Sequence, residues 1–304
     1  MIVVLSGGVG AARLLRALES VMNRDEITAI VNVGDDLTMH GLTICPDLDT
    51  ITYTLAGLNN EELGWGLTGE TWRVMDELDA LGGEAWFRLG DRDLATHLYR
   101  TERFARGATK SEVAAELAHR HGVRERLLPV TNDPLATIFV TDQGDLSFQE
   151  YFVRHRHGIP VRSVRFEGAE QCSPAPGVLE ALREADRIVI APSNPLISIE
   201  PLLSVPGVRE ELRRRRRDVI AVSPIIAGAA LKGPADRLLR ELGHDVSCVG
   251  VARYYREVCA TIVIDELDVD RRAEIEELGL AVRTTTTIMA NPEHARALAT
   301  EVLA

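Results

Sequence analysis

Ile2-Val3-Val4-Leu5-Ser6-Gly7-Gly8-Val9-Gly10-Ala11-Ala12-Arg13 opens the chain, and its reading decides the fold. Four aliphatic residues in a row, three of them β-branched, read as a strand buried on both faces of a parallel sheet. A glycine turn follows, and from Ala11 to about Val21 the apolar spacing is helical. A second buried run, 27–33, ends in Gly34-Asp35-Asp36. Strand, glycine turn, helix and strand begin a doubly wound, Rossmann-like α/β fold with a mostly parallel sheet.

Further strands are predicted at 136–141, 187–191, 219–222, 246–251 and 261–264, and a last helix from Glu293. Between 58 and about 128 the periodicity is helical, clearest over 71–81 and 111–121. Ser111 with Ala114 makes no capping box, since an alanine stands where the acid belongs. The expected organisation is therefore a Rossmann-like core of 1–57 and 131–304, with 58–130 as a mainly helical insertion. The arginine run 213–217 reads as a solvated helix face or end.

The 304 residues are 45% hydrophobic and carry a formal net charge of -12, which disfavours partners that need a basic face, nucleic acid and anionic membrane alike. Any anionic substrate must then be met locally, by a helix N-terminus, a few arginines or a metal. Cys45, Cys172, Cys248 and Cys259 have no paired spacing and suggest a reducing, cytoplasmic setting. The five residues before the first glycine turn are too few for a signal-peptide core, and the apolar stretch 219–231 is broken by Ser223, Pro224 and Gly228.

Four motifs could carry chemistry. Gly7, Gly8 and Gly10 allow close backbone approach to a phosphate at a helix N-terminus. Arg13 stands where a dinucleotide fingerprint has its third glycine, which counts against a nicotinamide-dependent oxidoreductase. Asp35 and Asp36, then Asp47 and Asp49, follow the second strand and supply hard oxygen donors of the kind magnesium takes; helix capping near 50–56 is the bland reading. Arg88-Leu89-Gly90-Asp91-Arg92-Asp93 with His97 suits recognition of an anion or a polar ring, or else a surface ion-pair network with His97 as a local partner. Ser193 and Asn194, between Pro192 and Pro195, offer fixed polar groups at a strand end, and Ser223-Pro224 repeats the arrangement before Lys232-Gly233-Pro234.

Taken in order, the glycine turn, Val31-Asn32-Val33-Gly34-Asp35-Asp36, His40-Gly41-Leu42 and Cys45-Pro46-Asp47-Leu48-Asp49-Thr50 resemble the 2-phospho-L-lactate transferase family of coenzyme F-420 biosynthesis. The resemblance continues through Gly64-Trp65-Gly66, the segment 89–97, Phe148-Gln149-Glu150-Tyr151-Phe152, Pro192 to Pro195, Ser223 to Ile226 and Lys232 to Pro234. Met39, Ile44-Cys45 and Glu70-Thr71-Trp72 make it most similar to the actinobacterial-type branch.

That resemblance implies transfer of a phospholactyl or phosphoenolpyruvyl group from a guanosine diphosphate ester to a deazaflavin acceptor, with magnesium as cofactor and a homodimer as the assembly. It also implies deazaflavin-binding roles for Asp49 and Arg88. Catalytic and metal-binding roles are expected of Asp36 and Asp49, with Asp35 and Asp47 as further candidates. Gly7, Gly8, Gly10 and Arg13 would hold phosphate, and Ser193 and Asn194 the guanosine part. The chain departs from the family at Ala11-Ala12-Arg13, at Asn132 in place of a common aspartate, and at Glu200 in place of a glycine. A nucleotide-sugar-binding regulator of the related cytosolic family, without transfer chemistry, is the alternative.

Overall fold

The computed structural model describes residues 1–231 and 233–304; Lys232, quoted above in a motif, lies outside the described residues. Its centre is a seven-stranded sheet of β1 (Ile2–Ser6), β2 (Ile27–Val31), β3 (Arg126–Pro129), β4 (Arg187–Ile190), β5 (Val219–Val222), β6 (Thr261–Asp265) and β7 (Ala281–Thr285). The spatial order is β7-β6-β5-β4-β1-β2-β3, and every neighbouring pair is parallel. The chain thus runs outward from β1 in one direction and then returns to build β4 on the other side of β1. Sheets of this type bind ligands at such a reversal, beyond the carboxyl ends of the strands. Leu5 lies opposite Ile30 on one side and Ile190 on the other, so the loops after β1, β2 and β4 leave the sheet at one level.

Burial explains the strands. All five residues of β1, β2 and the four of β5 are buried, as a sheet covered on both faces requires. Helix α1 (Gly8–Leu18) buries Ala11, Ala12, Leu14, Leu15 and Leu18 on one side, and packs against α2 (Pro46–Leu55) and the final helix Pro292–Leu303. Residues 58–125 carry α3 (Arg73–Ala80), α4 (Asp91–Ala105) and α5 (Lys110–Arg120). A satellite core of Met39, Ile44, Met75 and Leu89 joins this region to the loop after β2.

Three expectations change. The edge strand β3 falls inside the stretch 58–130 assigned to helices, because four residues that begin on an exposed arginine and end on a proline give too short a periodic signal. The 136–141 strand exists, but pairs antiparallel with Gly144–Ser147 and Val161–Glu167 in a separate sheet. Residues 246–251 are not a strand. Ser247 accepts the Gly250 N–H at 3.0 Å and starts the helix Cys248–Tyr255, so the short apolar run belonged to a buried helix, the ambiguity such runs always carry.

The capping box absent at Ser111 sits two residues earlier. The Thr109 side chain accepts from Glu112 N, and the Glu112 carboxylate accepts from Thr109 N at 2.7 Å. The arginine run 213–217 ends the helix Val208–Arg214 and stitches neighbours together, with Arg215 donating to the carbonyls of Leu182 and Ala185 and Arg216 to that of Arg256. All four cysteines are buried and unpaired, and no helix among the described residues is long and apolar enough to cross a membrane.

Candidate active site

At the strand reversal a cavity of about 470 Å³ opens between the ends of β1, β2, β4, β5 and β7. Gly7, Gly8, Gly10 and Arg13 line it together with Asp35, Asp47, Ser193 and Asn194, so six residues expected at the donor and two of the four expected acids converge there. Asp36, Asp49 and Arg88 do not line it.

The glycines have a packing reason as well as a ligand reason. A Cβ on Gly7 would sit 2.8 Å from the Ser198 carbonyl oxygen, and one on Gly10 2.3 Å from that of Pro192. Gly8 adopts φ +70°, in the left-handed region. The loops after β1 and β4 therefore lie backbone to backbone. Ser193, expected as an exposed group, is buried and donates its hydroxyl to the Gly7 carbonyl at 2.6 Å, fastening the same junction. Asn194 accepts from Leu196 N through Oδ1 at 3.0 Å and starts the turn Pro195–Ile199. Gly10→Ala drives a methyl into the Pro192 carbonyl, and we expect it to destabilise the protein by about 1–3 kcal/mol, as overpacking does. A urea midpoint unchanged from wild type would show that the two loops slide apart freely.

Asp47 changes the reading of the glycine turn. Its Oδ1 accepts the Gly8 N–H at 2.7 Å and its Oδ2 accepts from Asn32 Nδ2 at 2.9 Å. A carboxylate thus already occupies the first free amide of α1, the place a phosphate oxygen would take. Burial pushes the Asp47 carboxyl up to about 6, against the pull of these two hydrogen bonds. Asp35 is more extreme. Burial, then the charges of Asp47 and Asp36, push it well above the carboxylate range, and its Oδ1 has no hydrogen-bond partner. Asp36 receives Lys110 Nζ at 2.5 Å through Oδ2, while its buried Oδ1 is also unpartnered. Burial is the largest single influence and works against the Lys110 charge, but the charge and hydrogen bond of Asp36 with the charges of Cys45 and Asp35 together hold the ammonium pKa above its usual value. Asp36 thus holds the ammonium, whose charge also reaches the buried Asp35, while Asp47 is held by the Gly8 and Asn32 hydrogen bonds.

Asp49 stands elsewhere. Arg100 binds its Oδ1, and His97 Nδ1 lies 3.8 Å from its Oδ2. His97 Nε2 lies 3.4 Å from Asp93, which accepts from Tyr53 Oη at 2.6 Å. The nearest charges about Asp49 are Arg100, His97 and Asp93, all from α4, so the four expected acids divide into two groups, each with its own cation. Burial raises the Asp49 carboxyl although Arg100 opposes it. His97 is, as its spacing suggested, a local partner of Asp93.

Arg88 is exposed; it donates to Asp76 at 2.6 Å and its guanidinium lies 5.4 Å from the Trp72 ring centre. Asp91 of the same segment caps α3, and Glu70, outside the segment, caps α4. Glu70 accepts from Arg92 N and Asp93 N, and Asp91 accepts from Arg73 N and Val74 N. Asn132 accepts from both Ser111 N and Ser111 Oγ, and Glu200 pairs with Arg209 and Tyr254, so these two departures from the family pattern have structural partners.

Sequence reasoning missed Lys110 and Arg100 and gave no role to Gln149, whose Nε2 donates to the Asp35 carbonyl at 3.1 Å. It also missed Thr287, held by Asp265 at the end of β6, where it lines the cavity. The first three reach the acids from α4, α5 and the segment after Ser147, separations of 51, 74 and 114 residues that leave no local pattern.

Comparison with known proteins agrees with this architecture. The chain is 42% identical over 308 residues to a phosphoenolpyruvate transferase of Streptomyces griseus subsp. griseus, covering 99% of this chain and 97% of that protein. It is 42% identical over 310 residues to a phosphoenolpyruvate transferase of Nocardia farcinica, covering 99% and 93%. Its fold is similar to that of a UPF0052 family protein from Bacillus halodurans, with a TM-score of 0.63 at 18% identity over 100% of this chain and 98% of the other. Residues 2–301 match the family described as 2-phospho-L-lactate transferase CofD; the chain belongs to that family and is a transferase.

Proposed function

We propose that this protein transfers a 2-phospholactyl or phosphoenolpyruvyl group from lactyl- or enolpyruvyl-diphosphoguanosine to the terminal ribityl hydroxyl of 7,8-didemethyl-8-hydroxy-5-deazariboflavin, releasing GMP, in coenzyme F-420 biosynthesis. The observation that carries this reading is the convergence of Gly7, Gly8, Gly10 and Arg13 with Asp35 and Asp47 in one cavity of an enzyme of this family. The acceptor oxygen forms a bond to the phosphorus that bears the lactyl or enolpyruvyl ester, the bond from that phosphorus to the bridging oxygen breaks, and the bridging oxygen leaves on GMP. The hydroxyl proton is released.

The acids supply oxygen donors of the kind a magnesium ion takes, while among the described residues three potential ligands converge only at Asp49, Asp93 and His97. Asp35 and Asp36 each hold a buried carboxylate oxygen without a partner, and Asp47 lies between them and the helix N-terminus. Bound there, the metal would neutralise charge building on the diphosphate. The chain's own residues do the rest. Asp47 keeps a negative charge on the first amide of α1, which repels a diphosphate unless a cation accompanies it. Arg13 faces the cavity and can take a phosphate oxygen, while Ser193 fixes the Gly7 backbone and Asn194 lies beside the guanosine part. Asp49 and Arg88 serve the acceptor side in this reading, and the working form is a cytoplasmic homodimer.

The test is a transfer reaction with the deazaflavin, magnesium and each guanosine donor, followed by mass spectrometry. A phosphorylated deazaflavin product with GMP is expected, and the mass difference of two hydrogens identifies the donor. Tight nucleotide binding without product from either donor would move the chain to the class of regulatory nucleotide-sugar binders.

A further inference from the structure

A second hollow of about 1090 Å³ adjoins the cavity and shares Val9, Arg13, Gly64, Trp65, Met289 and Ala290 with it. Its charged groups balance, Arg13 and Arg16 against Glu61 and Glu62, and Thr50, Thr54 and Asn59 add neutral donors and acceptors. It lacks the glycine-lined helix start that suits a diphosphate. A phosphate-free ring with a polyol chain matches these walls better than a nucleotide diphosphate does.

Trp65 stands where the two hollows meet. The loop that carries it is closed by the Asn59–Leu67 bridge, by Asn60 N–H to the Gly66 carbonyl at 3.0 Å and by Gly64 N–H to the Asn60 carbonyl at 2.9 Å. Asn60 Oδ1 accepts from Glu62 N and Leu63 N inside the loop. Gly64 and Gly66, on either side, adopt φ of +78° and +70°, a double reversal that glycine permits. The backbone therefore fixes where the indole goes. Even so, Trp65 remains 43% exposed, and its one aromatic neighbour is Trp72, edge-on at 5.6 Å, which Arg88 covers in turn. A large flat side chain held by its backbone and left open at the throat of two cavities is a stacking surface without its ring.

We propose that Trp65 is the stacking platform for the planar ring of the acceptor, which lies in the larger hollow and sends its hydroxyl chain past Arg13 into the smaller one. This assignment rests on the transfer reading above and adds the place and the residue that select the ring. The donor's base is assigned to the smaller cavity with its diphosphate, where Ser193 and Asn194 lie beside the glycine turn.

The experiment compares wild type, Trp65→Phe and Trp65→Ala in the full chain, with KM determined for the acceptor and the donor separately. Binding of the deazaflavin alone is followed by its own fluorescence. Trp65→Ala is expected to raise the acceptor KM and its dissociation constant on the order of tenfold, the scale of one ring stacked on an aromatic side chain, with donor KM within about twofold of wild type. Trp65→Phe should recover most of that loss, which a role confined to loop structure would not do. An unchanged acceptor KM in Trp65→Ala, or an equal rise in donor KM, would overturn the assignment. If wild type binds the deazaflavin yet transfers nothing with either donor, the transfer reading fails by itself. The binding ratio then decides the platform, tenfold supporting it and unity overturning it.

Discussion

Asp35→Asn is expected to lower turnover by a factor on the order of 10²–10³, the scale on which removing one group that stabilises transition-state charge acts, while leaving the fold intact or more stable. The two effects have one cause. Asp35 is buried with an unpartnered Oδ1, and Asp47 and Asp36 are close enough to raise its pKa further. Its folded-state pKa lies above its unfolded value, so its stabilising contribution is complete below the unfolded pKa and disappears as pH rises through the folded one. As pH rises above the unfolded pKa the metal-free protein therefore loses stability through this group, because burial and the neighbouring Asp47 and Asp36 disfavour its charge, and the isosteric amide removes that loss. Magnesium removes the same cost by binding, so it should raise the melting temperature of wild type at pH 8 more than that of Asp35→Asn. Full activity in the variant, or a melting temperature well below wild type, would take the metal away from Asp35.

That result would also reorder the acids as the sequence ranked them. Reading along the chain put Asp36 and Asp49 first, because both follow the second strand in motifs the family resemblance singles out. The structure puts Asp35 and Asp47 at the cavity and gives Asp36 and Asp49 a lysine and an arginine as partners. The turn after β2 and the first turn of α2 decide which acid faces the cavity, and the partners Lys110 and Arg100 come from helices far along the chain. Neither is written in the local sequence. The core, by contrast, was legible, since strands buried on both faces are nearly continuous apolar runs, and 2–5, 27–31, 188–190 and 219–222 read that way. Legibility failed where runs were short. Arg126–Pro129 offers too few residues for a period, and the run at 246–251 became a helix through a single serine cap. The glycine turn was found, but its tight contact with Pro192 and Ser198 depends on a loop about 185 residues away.

Arg100→Leu is expected to cost about 3–5 kcal/mol of stability, because breaking a buried ion pair from one side strands the other charge. Arg100 is 2% exposed and Asp49 6%, and removal of the guanidinium would leave Asp49 and Asp93 buried together with only His97 between them. The double change Arg100→Leu with Asp49→Leu should recover a large part of the loss, since it deletes both charges and keeps apolar volume. Urea midpoints of the two singles and the double measure the coupling directly, and additivity would mean that the pair is already solvated. The same cycle bears on function. If Asp49 only anchors Arg100, Asp49→Asn lowers the melting temperature and leaves acceptor KM alone. If the carboxylate oxygen left unpartnered by Arg100 reaches the acceptor when it binds, Asp49→Asn raises acceptor KM by a factor that Arg100→Lys, which retains a buried positive charge, does not reproduce. The position the family resemblance assigns to the deazaflavin is thereby separated from the position the fold needs for its own stability. A rise in acceptor KM confined to Asp49→Asn would join Asp49, on the first turn of α2, to Trp65 across the larger hollow that Thr50 already lines.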